Sequence, residues 1–257
     1  MWRNLRIATL LLVLGAVAIQ AWLDVRQTRS WRNALWVGVF PINADGSAAA
    51  TDYIHSLTPA EFTPVEDFFS REAHRYGVGL EQPVRVELYP ECHELPPRLP
   101  AEPGPLDVLW WSLKLRWYAA HAADTGGRPA PRVRMFVLYH DPRILQTAPD
   151  SHGLEKGLLG VAHVFAGREM AGTNNIVLAH ELMHILGATD KYASGTLAPL
   201  WPQGFAEPDQ RPLYPQREAE IMAGRLAISE REFEMPAGLR QVVVGPASAR
   251  EIRWTPH

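Results

Sequence analysis

The sequence predicts one α+β domain with a mixed, twisted sheet, and three observations lead there. Strand-type and helix-type segments follow the order strand, helix, strand, helix, strand, strand, helix. The 257 residues are 47% hydrophobic and 21% charged with net charge −3, which excludes a disordered chain and suffices for a core. Cys92 is the one cysteine, so no intrachain disulfide staples the fold. The same charge balance argues against nucleic-acid binding through bulk charge, because there is no basic excess to neutralise phosphates.

Leu35 to Ile42 is rich in β-formers and ends at the turn cluster Asn43-Ala-Asp-Gly, which reads as the first strand. Thr58 to Tyr76 carries Phe62, Val65, Phe68, Phe69 and Ala73 at helical spacing. Thr58-Pro59 supplies its N-cap and first-turn proline, Glu61 its third position, and Gly77 its stop. Val84 to Tyr89 alternates as a second strand, and the proline-rich 90–105 stretch is a loop. Leu106 to Ala122 reads as a helix whose aromatics, Trp110, Trp111, Trp117 and Tyr118, belong in a core. Val133 to Tyr139 and Gly160 to Phe165 are the remaining strands, and Asn175 to Leu186 is the last helix.

The first 24 residues read as an export signal. Arg3 and Arg6 precede the apolar run Ile7 to Leu23, which Asp24 and Arg26 close. A cut after Ala16-Val17-Ala18 would leave a short apolar region, whereas the whole run, about 17 residues, just spans a bilayer. Trp22 stands where an interfacial aromatic belongs, so a signal anchor is the favoured reading and a cleaved signal peptide the other. Residues 25–33 then form a linker and residues 34–257 the domain.

Chemistry concentrates in His180-Glu181-Leu182-Met183-His184. On a helix, side chains at i and i+4 share one face, so both imidazoles can reach one ion, and Glu181 lies one step round, within reach of a water at that ion. Such a five-residue match arises by chance in roughly 3 of 100 shuffled chains. The run continues with Gly187 and Asp190, three and six residues past the second histidine, which lowers that figure to about 2 in 10,000. A helix cannot bring a third side chain onto the same ion. Gly187 permits the sharp left-handed turn that returns the chain, and Asp190 then supplies a third, carboxylate ligand to one Zn²⁺ per chain.

These residues resemble the metzincin zinc metallopeptidases, whose pattern is H-E-x-x-H-x-x-G-x-x-H/D followed by a Met-turn. His180, Glu181, His184, Gly187 and Asp190 match it position for position, with Asp in place of the commoner His. Glu220-Ile221-Met222-Ala223-Gly224 is the Met-turn candidate, with Met222 its methionine. The resemblance implies a metzincin-like zincin in which His180, His184 and Asp190 hold zinc and Glu181 is the general base of peptide-bond hydrolysis. With the N-terminal segment it implies a single-pass protein of a bacterial inner membrane with its catalytic domain in the periplasm, or a secreted one. Its substrate would be a peptide or protein. A zinc-binding periplasmic module without peptidase activity and a zinc hydrolase of a non-peptide amide share the same motif; the intact Glu181 argues against the former.

Other residues carry weaker expectations. His163 is a candidate for lining the cleft, Tyr192 for stabilising an oxyanion or packing beside the turn, and residues 194–216 for a specificity loop. His140 reads as part of a strand-end turn without a function.

Overall fold

The computed structural model describes residues 28–100 and 104–255. The apolar run from Ile7 to Leu23 lies outside them, and among the described residues no helix is long and apolar enough to cross a membrane. The chain forms an α+β domain. Its first half runs β1 (Leu35–Asn43), α1 (Ala48–Ser56), α2 (Thr63–Arg75), β2 (Val84–Leu88) and α3 (Pro105–His121). It continues with β3 (Val133–His140), β4 (His152–Leu154), β5 (Leu159–Phe165) and α4 (Ala171–Ile185). Short pairs follow: β6 (Ala219–Glu220), β7 (Leu226–Ala227), β8 (Phe233–Glu234) and β9 (Val242–Val243), then α5 (Pro246–Glu251).

The five-stranded sheet has the order β2-β1-β3-β5-β4. Four strands are parallel and β4 is antiparallel to β5, which makes the sheet mixed as expected. Side-chain alternation divides the core. Val37, Val39, Met135, Val137, Ala162 and Val164 meet Phe68 and Phe69 of α2 and Leu178 and Leu182 of α4 in one buried cluster. Phe40, Ile42, Phe136, Leu138 and Val161 face the other way, onto Trp111, Leu115 and Tyr118 of α3.

Four expectations need correction. The helix expected from Thr58 begins as a 3-10 turn over Pro59–Phe62, and α2 starts afresh at Thr63. Pro64 has no N–H to donate to the Ala60 carbonyl, so the two segments cannot join as one α-helix. Residues 28–33 do not behave as a linker. Trp31 is buried, donates from Nε1 to the Ile252 carbonyl at 2.8 Å, and packs edge-on against Trp254 with centroids 5.5 Å apart. The aromatics of α3 are not all core: Trp111 and Tyr118 are buried, but Trp110 and Trp117 are 62% and 65% exposed. Finally, α1 and β4 went unread. The α1 helix is capped by Ser47, whose Oγ accepts from Ala50 N, and β4 is too short for a periodic signal.

Candidate metal centre

Helix α4 is set against the sheet before it delivers any chemistry. Asn174 pairs with the Phe165 backbone, its Nδ2 donating to the carbonyl at 2.8 Å and its Oδ1 accepting from the amide at 3.2 Å. Asn175 donates to the Glu61 carbonyl at 2.8 Å. The edge strand β4 crosses α4 so closely that a Cβ on Gly153 would lie 2.6 Å from His184 Cβ and 2.7 Å from the Glu181 carbonyl. Glycine lets the strand edge approach the helix there.

His180 and His184 project from one face of α4, with ring centroids 4.7 Å apart and planes at 85°. Their Nε2 atoms are 3.0 Å apart. The Nδ1 atoms lie 2.9 Å from the Ile221 and Ala188 carbonyls, respectively. A carbonyl can only accept, so each Nδ1 carries the proton in the neutral ring and each Nε2 presents a lone pair.

The helix ends in a Schellman turn. Gly187 N donates to the His184 carbonyl and Ala188 N to the Met183 carbonyl, both at 2.9 Å, with Gly187 at φ +94°. A Cβ on Gly187 would overlap the Arg29 guanidinium, which pairs with Glu155 at 2.6 Å. Asp190 then returns with Oδ1 3.3 Å from His180 Nε2 and 3.1 Å from His184 Nε2. Tetrahedral ligands at about 2.0–2.1 Å from zinc stand roughly 3.3 Å apart, so the three donor atoms fit one such ion. Among the described residues this is the one group of three or more potential ligands close enough to share a metal.

Residues on both sides of Asp190 are pinned to α5. Thr189 donates from N to Glu251 Oε2 at 3.0 Å and from Oγ1 to Oε1 at 2.9 Å. The buried Lys191 ammonium donates to both Glu251 oxygens at 2.9 Å. The Lys191 amide donates to the Met222 carbonyl at 3.0 Å. The segment around Met222 thus supports two sides of the donor set, through Ile221 to His180 and through Met222 to the chain at Asp190. Its own shape rests on Glu220, a wholly buried carboxylate that accepts from Met222 N (2.6 Å), Ala223 N (3.0 Å), Gly245 N (3.0 Å) and Ser248 Oγ (2.7 Å). The Met222 side chain is fully buried in the core shared with Ile176, Leu182 and Met183.

Glu181 is 3% exposed, lines the cleft, and its Oε2 has no hydrogen-bond partner among the described residues. Burial pushes its carboxyl above the usual carboxylate range, against the pull of the two histidines. His180 behaves oppositely. Burial lowers its pKa, but the Asp190 hydrogen bond, the Glu181 charge and the Ile221 carbonyl outweigh this and raise it to about 9. Asp190 is held well below the ordinary range: burial works against it, and bonds to both imidazoles prevail. Tyr192 lies against Asp190, and burial and that charge push its phenol up to about 12.

The cleft holds about 750 Å³. Ser194, Gly195 and Leu197 border it, while Phe205, further along the same loop, is buried and bridges to Ala219. His163 lines the far end and stacks on His140, with Nδ1 2.9 Å from its Nε2. Burial, His140 and His152 bring the His163 pKa down to about 4. Sequence reasoning missed Glu251 and Arg29, which act through contacts distant in the chain, and it did not show that Glu220, at the head of the Met-turn candidate, is the buried carboxylate that shapes it.

No protein-family model matches the chain, and no curated protein matches it.

Proposed function

We propose that this chain is a zinc metallopeptidase of metzincin type. The observation that carries the reading is the convergence of His180 Nε2, His184 Nε2 and Asp190 Oδ1 beside a buried, unpartnered Glu181 carboxylate oxygen. His180, His184 and Asp190 would hold the ion, which would supply Lewis acidity for a scissile carbonyl and a water. Glu181 takes the proton of the attacking water and passes it to the leaving amine, and its raised pKa suits both halves of that exchange. Tyr192, which lines the cleft beside Asp190, is our candidate for stabilising an oxyanion.

An extended peptide as substrate is supported by the sheet itself. Strand β4 is one of the two edge strands, lies over α4 at Gly153, and borders the cleft with His152 to Leu154, so a substrate strand can add to it. The reading places the domain outside the cytoplasm, held by the apolar run Ile7 to Leu23 or released after it.

The test is Glu181→Gln in the full chain, with substrates found by proteomic profiling. Zinc content and melting temperature should match wild type, while turnover falls by about 10²–10⁴-fold, mainly in kcat. Unchanged hydrolysis of a confirmed substrate would exclude this role for Glu181.

A further inference from the structure

Helix α3 is apolar on two opposite faces. Trp111, Leu115, Tyr118 and Ala119 bury one face against the sheet. The opposite face carries Leu106, Leu109, Trp110, Leu113 and Trp117, which at 100° per residue fall within one stripe pointing away from the core. Their exposures run from 49% at Leu113 to 79% at Leu106. Six of the twelve exposed large apolar side chains among the described residues lie on this helix, counting Val108. Lys114 and Arg116 border the stripe on its two sides, and Asp107 is the one acid in the helix.

We infer that this outer face of α3 docks on the surface of an anionic phospholipid bilayer. Two Trp and three Leu framed by cations match a helix lying in the interface plane, where the indoles sit at headgroup depth and the cations meet lipid phosphate. The choice of lipid over another occupant rests on the reading of Ile7 to Leu23 as a membrane segment. Only residues 24–27 separate Leu23 from Thr28, whose hydroxyl is 3.2 Å from Arg132 Nε at the start of β3. Five residue steps span at most about 18 Å, so a domain held by that run stays within reach of the bilayer surface. Among the described residues the α3 stripe is the largest concentration of exposed apolar side chains.

The experiment uses the full chain in vesicles of phosphatidylethanolamine and phosphatidylglycerol, with and without brominated acyl chains that quench nearby indoles. Wild type and Trp110→Phe/Trp117→Phe are compared, and circular dichroism checks that both are folded. Bromolipid quenching should drop roughly twofold in the double variant, because two interfacial indoles are removed while those of residues 1–27 remain. Equal quenching in both proteins overturns the docking face. So does a chain dimer in unbrominated vesicles that Leu113→Glu/Trp117→Glu abolishes, since the face would then belong to a second copy. An alkaline carbonate wash tests the anchor separately. Release of the wild type with the Trp110/Trp117 quenching intact removes the anchor and supports the docking face; retention with no quenching difference overturns the face and keeps the anchor.

Discussion

His180 and His184 stand one turn apart on a single helix, whereas Asp190 reaches them from an irregular stretch whose shape is set by residues far away in the chain. In the helix half, i, i+4 spacing brings the imidazoles together and the nearby Ala188 carbonyl orients His184, with one distant group, the Ile221 carbonyl, orienting His180. The turn half depends on Arg29 beneath Gly187, on Glu251 clasping Thr189 and Lys191, and on the Met222 carbonyl. A helix is a local solution that many sequences reach. A loop holds one position only when distant groups over-determine it. This part of the molecule therefore has its ligand geometry written partly in its own segment and partly elsewhere.

The sharpest probe of that contrast removes one donor from each half. His184→Ala should lose zinc almost entirely, by more than about 100-fold in affinity, as read by metal analysis after dialysis. Asp190→Ala should weaken binding as well, and Asp190→His should restore much of it, because imidazole also serves zinc. Full zinc occupancy in His184→Ala would remove the histidines from the donor set.

A smaller effect is expected at the turn. Gly187→Ala places a Cβ at positive φ and into the Arg29 guanidinium. It should destabilise the fold by roughly 2–3 kcal/mol in denaturant titration, of which about 1–2 kcal/mol is the backbone term. In an Arg29→Ala background only the backbone term should remain. An equal cost in both backgrounds would show that Arg29 does not pack under the turn as described.

The smallest effect bears most directly on the comparison. Glu251→Ala unties both residues flanking Asp190 and should lower zinc affinity by about tenfold in chelator competition. Combined with Asp190→Ala, it should add almost nothing, because its influence passes through that ligand. Combined with His180→Ala, the two losses should be nearly independent. Additivity with Asp190→Ala would mean that Glu251 stabilises the domain generally and does not position the third donor.

Much of this arrangement was open to reading from the residues alone. The apolar runs Leu35 to Ile42, Val133 to Tyr139 and Gly160 to Phe165 marked three strands of the sheet, because a strand buried on both faces is apolar at nearly every position. The spacing of His180, Glu181, His184, Gly187 and Asp190 brought out the donor set, because helix pitch and the glycine turn are local rules. The three-residue strand β4 left no such trace; it exists as a strand through pairing with β5. The status of Trp31 and of the two outward Trp of α3 depended on which surfaces the rest of the chain covered, a matter that composition does not record. Glu220 and Glu251 looked like ordinary acids in sequence. Their roles arose only when folding brought Ser248, Gly245 and Lys191 to them from positions 25 to 60 residues away. Local periodicity and turn chemistry are properties of neighbouring residues, so the sequence determined them directly. Which carboxylate is buried, and which loop a distant side chain holds in place, was decided by the packing of elements that have no local signal for one another.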